Sequence, residues 1–148
     1  MRWTPHSTVA VVVEQNGRFL LIEERSSGRI VLNQPAGHIE QGETFIEAAV
    51  REAREESGWE VEPKSLIGFY VHPSINNDIT YHRMCFHAAA VQHYPDQPLD
   101  DGIITTHWLT LGEIEQQAAR LRTPVVLQCI YDYLAGRSLP LDFIVEEV

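Results

Sequence analysis

Apolar residues change their spacing several times along the chain, and each change marks an element. Residues 8–13 are β-branched and almost continuously apolar, the pattern of a strand buried on both faces. Asn16-Gly17 follows, the strongest two-residue hairpin signal, and residues 18–24 supply the returning strand. A hinge at Ser26-Ser27-Gly28 leads to a short apolar strand at 30–32, which Pro35-Ala36-Gly37 breaks to open a loop. From 44 to 57 the period lengthens: Ile46, Ala49, Val50 and Ala53 recur at i, i+3, i+4, i+7, the stripe of a helix, with Gly58 as its C-terminal cap. Residues 66–71 and 81–91 are predicted strands, the second long and central. A Pro-, Asp- and Gly-rich loop spans 94–102, a short strand 107–109 and a helix 111–121. Thr123 is an N-cap with Pro124 at the first helical position, and Val126, Cys129, Ile130 and Tyr133 form the next apolar stripe, ended by Gly136. Strands outnumber helices and helices fall between them. The predicted class is α/β or α+β, a mixed β-sheet covered by helices on both faces.

The chain has 148 residues and no repeat, low-complexity tract or long linker, so a single domain over 1–148 is expected. Cys85 and Cys129 lie far apart in apolar surroundings and read as reduced core residues. Residues 1–6 carry no secretory pattern, and the apolar run at 9–13 is too short to span a bilayer, so a cytoplasmic protein without a membrane partner is expected. Eleven Lys plus Arg against 21 Asp plus Glu give a net charge of -10, which excludes a general polynucleotide binder. Small phosphorylated substrates stay open if a cation supplies positive charge. Ten of the eleven basic residues are Arg, whose forked guanidinium suits phosphate oxygens.

The chemistry concentrates in Gly37-His-Ile-Glu-Gln-Gly-Glu43 and, seven residues on, Arg51-Glu52-Ala53-Arg54-Glu55-Glu56-Ser57-Gly58-Trp59. With Glu52 at zero on a helix, Glu55 and Glu56 fall at about 300° and 40°, so three carboxylates share a sector of roughly 100°. The apolar stripe is centred about 110° from Glu52, which puts the acidic sector at the border of the packed face, on the lip of a cleft. Like charges at i, i+3 and i+4 cost a few tenths of a kcal/mol per pair, roughly, in an isolated helix. A divalent cation reverses that cost, and an all-carboxylate set suits Mg²⁺ or Mn²⁺, not Zn²⁺. Proximity should raise the pKa of at least one carboxylate and favour its use as a base. On its own, Glu-x-x-Glu-Glu also fits a solvated acidic helix.

The longer pattern resembles the signature of the Nudix hydrolases: Gly, five residues, Glu, seven residues, Arg-Glu-(apolar)-x-Glu-Glu-x-Gly-(apolar). Gly37, Glu43, Arg51, Glu52, Glu55, Glu56 and Gly58 all fall in register. At background usage seven such matches coincide with a probability on the order of 10⁻⁹ per starting point. Ala53 is smaller and Trp59 larger than the usual residues at their positions, and both stay apolar. The resemblance implies an α/β/α sandwich with a mixed sheet, the signature forming a loop, helix and loop. It implies metal ligation by Glu52, Glu55, Glu56 and the Gly37 carbonyl, with Mg²⁺ or Mn²⁺ as cofactor. Glu56 matches a position often assigned as the base that activates water. Glu55 and Arg51 complete the expected catalytic set, Arg51 orienting the glutamates by ion pairing, and Glu43 steadies the loop. Further segments, Trp3-Thr4-Pro5-His6, Asn33-Gln34-Pro35-Ala36-Gly37-His38 and Leu121-Arg122-Thr123-Pro124, are similar to the NudJ phosphatase subgroup. That likeness implies nucleoside tri- and diphosphates and hydroxymethylpyrimidine pyrophosphate as substrates. The expected reaction is attack of metal-activated water on a phosphoanhydride of a small phosphorylated metabolite, by a monomer or homodimer. A non-catalytic nucleotide- or metabolite-sensing module on the same fold is the alternative. No covalent nucleophile is evident, and no Gly-rich loop with a Lys-Ser/Thr pair marks a P-loop enzyme.

Weaker signals complete the reading. Seven histidines include no HxH or HExxH spacing, and His82 and His87 should face opposite sides of their strand. Arg83, on the long strand, is a candidate phosphate ligand or a surface ion pair, and Arg29, with Arg25 flanking the loop before the signature, is a second candidate substrate contact. Trp3, Phe69 and Tyr70 are candidates for stacking on a base, with core packing the commoner use. Asp100 and Asp101 are alternative general bases in a loop that is otherwise expected to be solvated.

Overall fold

The structure, a computed structural model, describes residues 1–75 and 77–147. Positions 76 and 148 of the expected 1–148 domain lie outside the described residues. Seven strands and three helices follow in the order β1 (His6–Gln15), β2 (Arg18–Ser26), β3 (Arg29–Asn33), β4 (Ala36–His38), α1 (Phe45–Ser57), β5 (Trp59–Pro73), β6 (Thr80–His93), β7 (Ile103–Thr110), α2 (Leu111–Gln116) and α3 (Val125–Leu134), with short 3₁₀ turns at Ala118–Arg120 and Leu141–Phe143. The sheet is mixed and ordered β3-β2-β1-β6-β5, with β4 pairing β1 and β7 pairing β2. Among the described strands β1 and β6 pair in parallel, and the remaining strand pairs are antiparallel.

Alternation along β1 divides the core. Val9, Val11 and Val13 pack with Leu20, Phe86 and the α1 alanines Ala48, Ala49 and Ala53. Ala10 and Val12 pack on the other face with Ile67, Cys85 and α3 residues Val126, Cys129 and Ile130. The predicted class, with helices on both faces, is what the chain adopts, and both cysteines are buried and free. Asn16 and Gly17 both have positive φ, as a tight hairpin turn requires.

Helix α1 forms where the apolar period placed it. Thr44 Oγ1 accepts from Glu47 N at 3.0 Å while Glu47 Oε1 accepts from Thr44 N at 2.9 Å, a reciprocal cap on the first turn. Gly58 closes it in the left-handed region at φ 74, its N–H donating to Arg54 O. The buried face, however, is centred nearer the acids than the Ile46–Val50 stripe implied. Ala48, Ala49, Ala53 and Glu56 are buried, whereas Ile46 and Val50 are only half-buried. The small alanines let the helix approach the sheet closely, so Glu56 stands inside the packed face instead of at its border.

Other boundaries moved for identifiable reasons. Pro35 ends β3, but Ala36–His38 rejoins the sheet as β4 against Thr8, Val9 and Ala10, so the expected loop is a strand. Strand β5 extends far beyond 66–71 because it lies at the end of the strand order, where Glu60, Glu62, Pro63 and Lys64 are tolerated, with register shifts absorbing Pro63. β7 likewise begins at Ile103, ahead of the expected 107. The helix expected over 111–121 stops at Gln116, and after the 3₁₀ turn Leu121 extends to bridge Leu32.

Candidate active site

The signature folds as a loop that leads into α1, and Arg51 gathers it. Its Nε and Nη2 donate to the two oxygens of Glu43 at 2.7 and 3.0 Å. Nη1 donates to Glu52 Oε1 at 2.9 Å and Glu55 Oε2 at 3.2 Å, and Nη2 also reaches the His38 carbonyl at 2.9 Å. Glu43 in turn accepts from the Glu40 N–H at 3.0 Å, and the Arg51 guanidinium holds its carboxyl below the usual range. The ion-pairing role implied for Arg51 and the loop-steadying role of Glu43 thus have their contacts in place.

The three glutamates differ in exposure. Glu55 is the outermost, its side chain 40% exposed, while that of Glu52 is 12% exposed. Glu56 is buried, and its Oε1 accepts the Ala36 N–H at 2.8 Å. Burial pushes Glu56 up to about 9, partly opposed by that hydrogen bond, and burial also raises Glu52 against the pull of Arg51. The expected upward shift is therefore present, but loss of water drives it and the neighbouring charges add less. Gly37 lies against Glu52 so closely that a Cβ there would land on the carboxylate, so only glycine permits the approach of this main chain to the acids.

A fourth carboxylate arrives from the β6–β7 loop. One carboxylate oxygen each from Glu52, Glu55 and Asp100 lie within 4.8 Å of one another, the only such group of acids, histidines or cysteines among the described residues. The loop is held to α1: Tyr94 N donates to Gly58 O at 2.8 Å and Asp100 N to Glu55 O at 3.0 Å. The Arg54 guanidinium lies 3.8 Å from the Tyr94 ring centroid and its Nε donates to Gln97 at 2.6 Å. Of the two aspartates considered, Asp100 joins the acids; Asp101 is exposed and outside the group. Hard carboxylate oxygens crowded around a main chain without Cβ are a donor set that fits Mg²⁺ or Mn²⁺.

Behind the acids opens a cavity of about 690 Å³ whose lining includes Glu52, Glu56, Asn33, His72, Tyr81 and Arg83. Arg83 is not the surface ion pair considered from sequence. It is 7% exposed, its Nε and Nη1 have no hydrogen-bond partner among the described residues, and burial pulls its pKa down. An uncompensated buried guanidinium beside an acidic cluster is costly unless a ligand supplies the anion. Arg29 is not brought to the site: it is exposed at the outer end of the β2–β3 hairpin, where only Ser26 and Ser27 reach the cavity. Trp3 and Phe69 are neither core nor cavity residues; they are 63% and 54% exposed and meet His82 edge-on. Tyr70 is partly buried and donates to Asp132 at 2.6 Å. His82 and His87 do face opposite sides, the latter against Tyr133. Sequence reasoning passed over Thr8, Asn33, His72 and Tyr81. Alternation from Arg83 marks Tyr81 as sharing its face, but the others required the strand register.

Comparison with known proteins agrees with this geometry. The family model for the NUDIX domain matches residues 4–128. The phosphatase NudJ of Escherichia coli strain K12 is 42% identical over 141 residues, 95% of this chain and 90% of that protein. A solved NUDIX hydrolase from Nitrosomonas europaea is 44% identical and superposes with a TM-score of 0.94 over 97% of this chain and 98% of its own. A MutT NUDIX hydrolase from Burkholderia pseudomallei, 22% identical with a TM-score of 0.75 over 88% of this chain and 98% of its own, shares the fold. Nudix hydrolases generally use divalent metals such as Mg²⁺ and act on small phosphorylated substrates. With Gly37, Glu52 and Glu56 of the signature lining one cavity and Arg51 joining Glu52 to Glu55 beside it, this chain belongs to the Nudix hydrolase family and is an enzyme of the pyrophosphohydrolase or phosphatase type.

Proposed function

We propose that the protein cleaves a phosphoanhydride of a small nucleotide or diphosphate metabolite with the help of Mg²⁺ or Mn²⁺. The carrying observation is a cavity lined by Glu52, Glu56 and the buried Arg83, with Glu55 and Asp100 set close to Glu52 and with Arg83 Nε and Nη1 left without a partner among the described residues. The Gly37 carbonyl and Glu52, Glu55 and Glu56 would hold the metal, with Asp100 beside them. A divalent cation there supplies charge that offsets the phosphate oxygens and makes water more acidic. Arg51 keeps Glu52 and Glu55 in place through its hydrogen bonds. Glu56 accepts the Ala36 N–H on one oxygen, and a cation beside it would keep it ionised and able to take the proton of the attacking water. Its buried setting makes the ionised form a stronger base than an exposed glutamate. Arg83 takes oxygens of the substrate phosphates, and substrate binding thereby satisfies its Nε and Nη1. Arg29 has no place in this assignment.

Similarity to NudJ across nearly the whole chain supports nucleoside tri- and diphosphates and hydroxymethylpyrimidine pyrophosphate as the first substrates to try. Both core clusters lie on one continuous sheet, which supports reading 1–148 as one domain. The test is phosphate and pyrophosphate release across nucleotides and coenzyme diphosphates with Mg²⁺ and with Mn²⁺. Glu55→Gln and Glu56→Gln are each expected to cut turnover by roughly a hundredfold or more while circular dichroism stays native. Full activity in both variants, or no release from any substrate, overturns the assignment.

A further inference from the structure

Besides the acids, four of the described side chains lining the cavity carry buried polar atoms with no partner among the described residues: Thr8 Oγ1, Asn33 Oδ1, His72 Nε2, and Arg83 Nε and Nη1. Thr8, Asn33 and Arg83 are 5%, 2% and 7% exposed. Native interiors rarely leave such atoms unsatisfied, so their convergence marks a surface built for a polar ligand.

Strand register sorts the floor of this surface into two rows. Thr8 pairs with Arg83 across β1 and β6, while Tyr81, two residues before Arg83 on the same face, pairs with His72 across β6 and β5. The inner row carries the cation, and the phosphate assignment above uses it. The outer row is different in kind. The His72 and Tyr81 rings stack with centroids 5.5 Å apart at 29°, and His38 meets the Tyr81 ring at 6.3 Å and 62°. Burial, with the charge of Arg83, pushes His72 down to about 4, so its imidazole is uncharged at neutral pH. A neutral imidazole offers a second phosphate one N–H at most and no charge to offset its own. An alkyl chain would leave His72 Nε2 and Asn33 Oδ1 still unsatisfied. A planar ring with polar edge atoms answers both the stacked rings and the orphaned groups.

We propose that Tyr81 and His72 form a specificity subsite for a heteroaromatic ring of the substrate, Tyr81 by ring contact and His72 Nε2 by a hydrogen bond to the edge of that ring. This deepens the assignment above and rests on it for the position of the phosphates. In Tyr81→Ala, the KM for nucleoside triphosphates is expected to rise roughly tenfold more than that for inorganic tripolyphosphate, which has no ring. His72→Phe keeps an aromatic surface but removes the nitrogen, and its losses should differ between bases. Equal losses on ringed and ringless substrates, or no loss on either, overturn the subsite. A second measurement needs no turnover: the imidazole resonances of His72 are followed by NMR in metal-free wild type. Methylene-bridged nucleoside diphosphates should shift them, and methylenediphosphonate should shift them less. Equal shifts, or none, sink the subsite even if the enzyme is active. If wild type hydrolyses nothing while the ringed analogues still shift His72, the catalytic assignment fails and the subsite stands.

Discussion

Gly37 shows how much of the site depends on single atoms. A methyl group there meets the end of a flexible glutamate, not rigid backbone, so the fold can accommodate it by turning Glu52 aside. Gly37→Ala should therefore leave thermal unfolding almost unchanged, yet lower turnover roughly 100-fold, the usual penalty for displacing a reacting group by about an ångström. Thermal melts with and without Mg²⁺ check it: stabilisation by the ion should be weaker than in wild type. At this scale the sequence was legible where spacing carries the chemistry. Glu43, Arg51, Glu52 and Glu55 meet as their register implies. Arg83 was recognisable only as a possibility, because an arginine on a half-apolar strand gives no sign of whether a carboxylate waits across the sheet. His72 and Tyr81 were invisible as a pair until β5 and β6 had been aligned.

Among the elements, α1 was the most legible, and local chemistry explains why. Its apolar period, its Gly58 stop and its acids all agree, and the Thr44–Glu47 cap reinforces the start. Thr44→Ala removes the acceptor for the Glu47 N–H and should cost about 1 kcal/mol in chemical denaturation, with smaller loss of activity than any glutamate variant. β4 was hidden because three residues after a proline carry no strand signal; only β1, reached from far along the chain, makes them a strand. β5 was underestimated because alternation fades on an edge strand that solvent reaches. The helix expected through 121 lost its second half to a bridge with β3, a contact no local propensity encodes.

On the scale of the whole molecule, the hydrophobic pattern implied a mixed sheet with helices on both faces, as found. Strand order and the parallel β1–β6 pairing lay beyond it, since both depend on which distant edges meet. Phe86 is fully buried on β6 between β1 and β5. Phe86→Ala should cost about 3–5 kcal/mol in the unfolding free energy, enough to threaten the native state, although the residue lies outside the cavity lining. Denaturant titration of the purified variant measures this directly. The hub at Arg51 has a wider consequence. One guanidinium serves three acids and a carbonyl through five hydrogen bonds, so no partner's worth can be assessed alone. Loss of Glu43 changes what Arg51 does for Glu52 and Glu55, and loss of Arg51 changes what all three acids cost one another. Substitutions at these positions are epistatic by construction: the effect of each depends on which of the others is present.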